Sequence, residues 1–142
     1  MRIMIIGSDG QLGTDLVRTL DGDLAPLTHA DIEISDRASV AEAMAKHKPE
    51  LVINTAAYHQ VDLAEDDPSR AIATNMIGAR NLALACAEAD VDLFHVSTDH
   101  VFGGEKREPY EVTDLPAPLN VYGTTKLAGE NFVRALAPRH YV

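Results

Sequence analysis

The chain has one cysteine, Cys86, in 142 residues. A lone thiol cannot close an intramolecular disulfide and cannot hold a metal by itself. Cys86 also lies in the apolar helical run Asn81–Ala87, where a small buried core residue is expected rather than a nucleophile. Basic residues are scarce as well: 12 Lys and Arg stand against 22 Asp and Glu, a formal net charge of −10, and they are scattered. Such a surface repels phosphate backbones and anionic bilayers, so neither nucleic acid nor membrane is expected as a partner. No apolar run is long enough to span a bilayer, and the opening stretch Met1–Gly7 is too short for a secretory apolar region. A reducing cytoplasm is the expected compartment. Repeats and low-complexity tracts are absent. What remains is 46% hydrophobic and 24% charged, a globular composition of a length suited to one core.

Short β-branched runs alternate with helical spacings. Arg2–Ile6 reads as a buried strand ended by Gly7-Ser8-Asp9-Gly10, and Gln11–Leu20 follows with apolar residues at 12, 16, 17 and 20, a helical spacing. Leu24–Thr28 is a weaker strand because Pro26 interrupts it. Ser35 or Asp36 can cap a helix over Arg37–His47, with apolar positions 40, 41, 44 and 45 expected on one face and Pro49 as its stop. Leu51–Asn54 is a strand, Ser69–Ala89 a long alanine-rich helix behind Pro68, and Val91–Ser97 a strand. Asn120–Ala137 is the last complete helix, ended by Pro138, and His140–Val142 opens what is counted as a sixth strand. The irregular stretch Asp99–Leu119 holds three of the seven prolines, and a connection of that length points to function or mobility.

This alternation implies right-handed crossovers in an α/β fold, a Rossmann-type doubly wound parallel sheet. Residues 1–142 are expected to form an NAD(P)-binding domain, the N-terminal part of a longer protein whose smaller substrate domain is lacking or cut short. By itself the stretch is expected to be inactive. Ligands of such sheets sit beyond the carboxyl ends of the strands, where Gly7, His29, Asn54–Tyr58 and Ser97–Asp99 fall.

Gly7-Ser8-Asp9-Gly10-Gln11-Leu12-Gly13 is a GxxGxxG between a strand and a helix. In that context Gly7 allows a tight turn, Gly10 lets the backbone approach a pyrophosphate, and Gly13 permits close helix–strand packing. Free N–H groups near Gln11 and Leu12 then face phosphate oxygens, with the helix dipole adding ~0.3–1 kcal/mol. The pattern points to a bound dinucleotide. The second strand ends Leu27-Thr28-His29 without a carboxylate. Protonated His29 can take a 2′-phosphate, which leans toward NADP(H), but a solvated loop histidine fits the position equally, and NAD(H) stays open.

Tyr122-Gly123-Thr124-Thr125-Lys126 puts a phenol and an ammonium four residues apart on one helix face. Carbonyl reduction needs a proton for the oxygen as hydride reaches the carbon, and a nearby cation favours the phenolate of a tyrosine acting as acid and base. Lys126 would supply that charge and can also hold the nicotinamide ribose. Thr98, at a strand's carboxyl end, can donate its hydroxyl to the same oxygen.

Together with Val52-Ile53-Asn54-Thr55-Ala56-Ala57-Tyr58 and Val61-Asp62-x-Ala64-Glu65, these residues resemble the extended short-chain dehydrogenase/reductases, and within them the dTDP-4-dehydrorhamnose reductase branch. The first of these stretches and its continuation are similar to the family's fourth-strand segment. Ser97-Thr98-Asp99-x-Val101-Phe102-x-Gly104, Pro109-Tyr110, Pro118-Leu119-Asn120-Val121-Tyr122-Gly123 and Lys126-Leu127-Ala128-Gly129-Glu130 follow in family order. The resemblance implies hydride transfer from NADPH or NADH to the 4-keto group of dTDP-4-dehydro-β-L-rhamnose, a nucleotide-sugar, giving dTDP-L-rhamnose. It makes Tyr122 the proton donor, Lys126 its partner and Thr98 the assisting hydroxyl. Gly7, Gly10, Gln11, Leu12 and Gly13 would take the pyrophosphate, Ala56, Ala57 and Tyr58 the nicotinamide side, and His29, Glu33 and Ile34 the adenosine end. Thr98, Asp99, Val101 and Phe102 would border the sugar. Asn75 matches a family Asn, in either a helix-start or a site role.

The sequence departs from the pattern at three places. His29 stands where many members have Arg, His100 replaces a usual Tyr, and Gly103 a usual Asp. His59, His95 and His100 are read as core or loop histidines and no metal is expected, because His95 lies within a strand and no acidic partner is spaced for it. The resemblance also allows a homodimer and a magnesium requirement, both expected to depend on residues outside this sequence. Two other functions were compatible with the pattern: a non-catalytic NADP(H)-binding regulatory subunit, and a reductase of another nucleotide-sugar. Retention of Thr98, Tyr122 and Lys126 speaks against the first, and the Ser-Thr-Asp and Asn-Val-Tyr-Gly stretches against the second.

Overall fold

The computed structural model describes residues 1–142. Its parallel sheet consists of β1 (Arg2–Ile6), β2 (Asp23–Leu27), β3 (Leu51–Asn54), β4 (Asp92–His95) and β5 (His140–Tyr141), in the order β2-β1-β3-β4-β5. Register aligns Ile6 with Leu27 on one side and Asn54 on the other, and Asn54 with His95, so the carboxyl ends lie level. The order reverses between β1 and β3, and such a switch point opens a crevice at those ends. The helices are α1 (Gln11–Thr19), α2 (Arg37–His47), α3 (Val61–Asp66), α4 (Ser69–Ala71), α5 (Ala79–Ala89) and α6 (Val121–Leu136). A π-helical segment, Ile72–Gly78, joins α4 to α5, and a 3-10 turn spans Asp99–Val101.

The two-residue period of the strands sorts their side chains to opposite faces. Met4, Ile6, Val52 and Leu93 meet Val40 and Met44 of α2, Leu82 and Cys86 of α5, and Val133 of α6 in the main core. Ile3, Ile5 and Ile53 point the other way, against Leu16, Val17 and Leu20 of the α1 region. Helices on both faces make the sheet doubly wound, the Rossmann-type α/β fold expected from the alternation. Burial on both faces explains why β1 and β3 read as continuous apolar runs. Each fully buried Ile, Val or Leu stabilises the fold by about 1.5–3 kcal/mol.

Several boundaries differ from the sequence pattern for identifiable reasons. Pro26 lies within β2, which starts and ends one residue earlier than expected; β2 is an edge strand, where a missing N–H is tolerated. In α2 the buried positions are Val40, Ala43 and Met44, while Ala41 and Ala45 are exposed, because a helix buries i, i+3 and i+4 together. Asp36 rather than Ser35 caps it, accepting from Ala38 N at 2.9 Å. The expected strand Val91–Ser97 narrows to β4. Val96 N still donates to Asn54 O at 3.1 Å, but β3 stops there and no neighbour carries the ladder further. The stretch from Val52 to Glu65, matched to a fourth-strand segment, is β3, a loop and α3. His140–Tyr141 pairs with β4 as the fifth strand, not a sixth. The helix Ser69–Ala89 exists, but its middle is π-helical, and the wider turn holds Asn75 inward at 1% exposure rather than at a helix start.

Candidate functional site

The crevice above β1 and β3 is a cavity of about 1040 Å³. Its floor is the glycine turn. Gly7 has φ +78°, and a Cβ on Gly13 would stand 2.1 Å from the Gly7 carbonyl oxygen, so α1 starts directly on the turn. Thr55, just past β3, clamps that turn by donating to Ile6 O at 2.8 Å and Gly7 O at 3.1 Å. The Gly10 N-cap has no side-chain cap, and Gln11, Leu12 and Gly13 donate their N–H groups to no protein acceptor. Three free donors and the positive end of the α1 dipole therefore meet at one wall.

The opposite wall is fixed by amides. Asn75 Oδ1 accepts from Tyr58 N at 2.8 Å, and its Nδ2 donates to Tyr58 O at 3.0 Å and Thr125 Oγ1 at 3.1 Å. Thr125 Oγ1 donates in turn to Tyr122 O at 2.8 Å. The Ala56–Tyr58 segment is thus tied to the first turns of α6. That helix begins at Asn120, whose Oδ1 accepts from Gly123 N at 2.7 Å, and Glu65 accepts from Val121 N at 2.6 Å.

Tyr122 and Lys126 both reach the cavity from α6. Lys126 is buried to 2% exposure, and its ammonium donates to Val96 O at 2.5 Å. Burial pushes its pKa down to about 8, opposed by the carboxylate of Glu130, so the side chain is still cationic near neutral pH. Glu130 is also buried; it accepts from the Ser97 hydroxyl and pairs with Arg134 at 2.9 Å. His95, 1% exposed beneath the site, is held neutral: burial first, and the Lys126 charge second, depress its pKa to about 3. Burial likewise pushes the Cys86 thiol up to about 12, which keeps it protonated and inert.

At the far end, Ser35 donates its N–H and hydroxyl to Glu33 Oε1 at 2.9 and 2.7 Å, holding that carboxyl below its ordinary range. His29 Nε2 lies 3.6 Å from Glu33 Oε2, with its side chain 85% exposed.

Of the residues singled out from sequence, Gly7, Gly10, Gln11, Leu12, Gly13, His29, Glu33, Ile34, Ala56, Ala57, Tyr58, Tyr122 and Lys126 line this one cavity. Thr98 stands one residue beyond its rim residue Ser97. Its hydroxyl accepts from His100 N at 3.2 Å and donates to Asp99 Oδ1 at 3.3 Å. Asp99 is exposed, Val101 is buried, and Phe102 stacks on Tyr110 with centroids 4.2 Å apart; none of these three lines the cavity. Arg70 and Thr74 line it without having been singled out; Thr55, within the strand-end stretch Asn54–Tyr58, lines it too. Arg70 makes no salt bridge. No motif marks Arg70 or Thr74, because only the path of the helix brings them to the rim. Thr55, flanked by motif residues, was legible as a strand-end residue but not as a clamp.

A family model described as RmlD substrate binding domain matches residues 1–142. The chain is 46% identical over 145 residues to the dTDP-4-dehydrorhamnose reductase of Mycolicibacterium smegmatis, covering 99% of this chain and 44% of that protein. It superimposes with a TM-score of 0.95 on dTDP-4-dehydrorhamnose reductase from Bacillus anthracis in complex with NADP, at 37% identity, covering 98% of this chain and 50% of the other. For the Clostridium acetobutylicum dTDP-4-dehydrorhamnose reductase ortholog the TM-score is 0.96 at 40% identity, covering 99% and 51%. The chain thus spans about half the length of these relatives. On sequence and fold alike, it belongs to the RmlD substrate binding domain family.

Proposed function

We propose that this chain is the NAD(P)-binding part of a reductase that converts dTDP-4-dehydro-β-L-rhamnose to dTDP-L-rhamnose. The observation that carries this reading is one cavity joining the glycine turn, with its free donors, to Tyr122 and Lys126. The similarity to enzymes named for that reaction, one of them in complex with NADP, supports it.

The cavity fits a dinucleotide. The three free N–H groups of α1 suit a pyrophosphate, and Arg70, unpaired at the rim, adds a cation for its charge. At the adenosine end a protonated imidazole would favour a 2′-phosphate while the neighbouring Glu33 carboxylate favours a hydroxyl, so the cofactor is NADPH or NADH. When bound, the nicotinamide would supply the hydride. Tyr122 would give its phenolic proton to the carbonyl oxygen, and the buried Lys126 ammonium would stabilise the phenolate left behind. Thr98 would turn its hydroxyl proton from Asp99 to the same oxygen while still accepting from His100 N. The amide ties through Asn75 would hold the Tyr58 wall against α6 during these steps. A reducing cytoplasm suits a chain with one buried thiol.

The test is consumption of NADPH or NADH by the polypeptide that carries this sequence, with a 4-keto-6-deoxy sugar nucleotide as acceptor. Tyr122→Phe should lower turnover by about 10²–10⁴-fold and leave dinucleotide binding intact. Full activity in Tyr122→Phe would refute the mechanism.

A further inference from the structure

His100 has contacts on three sides, and the chemistry above uses only the first of them. Its N–H donates to the Thr98 hydroxyl at 3.2 Å. Its carbonyl oxygen lies where a Cβ on Gly123 would come within 2.2 Å, so the first turn of α6 sits against this residue's backbone. Its ring meets the Tyr122 ring edge-on, with centroids 5.3 Å apart and planes at 77°.

The ring is also locked. Asn120 Nδ2 and His100 Nδ1 are 3.0 Å apart. The Asn120 amide cannot be turned over, because its Oδ1 is committed to Gly123 N as the cap of α6. Nδ2 is therefore the donor and Nδ1 the acceptor, which puts the ring proton of the neutral imidazole on Nε2. The same asparagine thus starts the helix that carries Tyr122 and fixes the ring that Tyr122 leans on. A phenol with one ring edge against it has fewer rotamers open to it.

Resting on the reading that Thr98 and Tyr122 serve one carbonyl oxygen, we infer that His100 is a positioning residue. It fixes the orientation of the Tyr122 ring and the gap between that ring and the Thr98 hydroxyl.

The experiment uses this chain with 15N-labelled histidine and 13C-labelled tyrosine, comparing His100→Ala, His100→Phe and Asn120→Asp with the parent. The parent should show His100 with a bare Nδ1 and a protonated Nε2. Asn120→Asp keeps the cap on Gly123 but offers only acceptors, and should move the proton to Nδ1. The Tyr122 ring signal should shift in His100→Ala and return toward the parent position in His100→Phe. Where turnover is measured, His100→Ala should lower kcat by about tenfold, with the dinucleotide dissociation constant changed by less than about twofold and partial recovery in His100→Phe. A protonated Nδ1 in the parent, a Tyr122 signal indifferent to His100→Ala, or an equal loss of kcat and dinucleotide affinity would each overturn the proposal. Failure of the functional reading looks different: the parent would bind neither NADPH nor NADH, while the ring signals behaved as described.

Discussion

The Lys126 ammonium donates to the carbonyl oxygen of Val96, the residue at which the β4 chain leaves the sheet. That bond makes the end of the strand a seat for the cation, and burial of the side chain makes the seat costly.

The cost has a pH signature. An unfolded lysine titrates near 10.4, whereas burial brings Lys126 down to about 8, so between these values the unfolded chain holds more protons than the folded one. Stability from this group therefore rises with pH across that window, and below it the full burial cost is present. The stability difference between the parent and Lys126→Met should shift in the parent's favour by about 1–3 kcal/mol from pH 7.5 to 10. Urea unfolding at both pH values measures it. A difference that stays constant would mean the lysine is not held in a desolvated site.

His95 carries the complementary signature on the acid side. Asn54 Oδ1 accepts from Ala56 N at 3.1 Å, so its Nδ2 must donate to His95 Nδ1 at 3.0 Å, and the ring proton sits on Nε2, which has no partner. Because its folded pKa lies near 3 and an unfolded histidine titrates near 6.5, stability from this ring is complete above 6.5 and lost as pH falls toward 3. His95→Phe leaves the Asn54 donor unpaired and should cost about 1–3 kcal/mol at pH 7. Its deficit should shrink by up to about 1.4 kcal/mol for each pH unit below 6.5, read from unfolding at pH 7 and 5. An equal deficit at both would show that His95 is not kept neutral by the fold.

Much of the site was legible in the sequence because its parts are local. The glycine turn and the Tyr122–Lys126 spacing each fall within a few residues, so periodicity assigns them to a turn and a helix face, whereas Thr98, expected at a strand end, lies three residues past the end of β4. The polar links were not legible. Asn75 meets Tyr58 across 17 residues and Thr125 across 50, and Asn54 meets His95 across 41; only the register of β3 against β4 and the π-helical turn create those pairs. The π segment itself left no signal, since Ile72–Gly78 has the composition of an ordinary helix. Val101 and Phe102 are apolar residues next to Thr98, and an apolar pair in that position reads the same way whether it borders a ligand or packs a turn. The fold turns Val101 inward and spends Phe102 on Tyr110.

Asn75 offers the sharpest separation between a neutral link and a charged one. Asn75→Ala removes both bonds to the Tyr58 backbone and the one to Thr125, and should cost roughly 2–4 kcal/mol with little dependence on pH. Asn75→Asp keeps the shape and can still accept from Tyr58 N. Its second oxygen, when ionised, faces the Tyr58 carbonyl at the position where Nδ2 donated. A carboxyl in that setting is favoured protonated, so the folded state would bind its proton more tightly than the unfolded state, and stability must rise as pH falls. Asn75→Asp should therefore be the less stable variant at pH 7 and gain on Asn75→Ala at pH 5, a trend opposite in sign to that of His95. Urea midpoints of both variants at the two pH values decide it. If Asn75→Asp matches the parent at pH 7, the amide's donor is not what ties the Tyr58 wall to α6, and the rigidity of the cavity has another source.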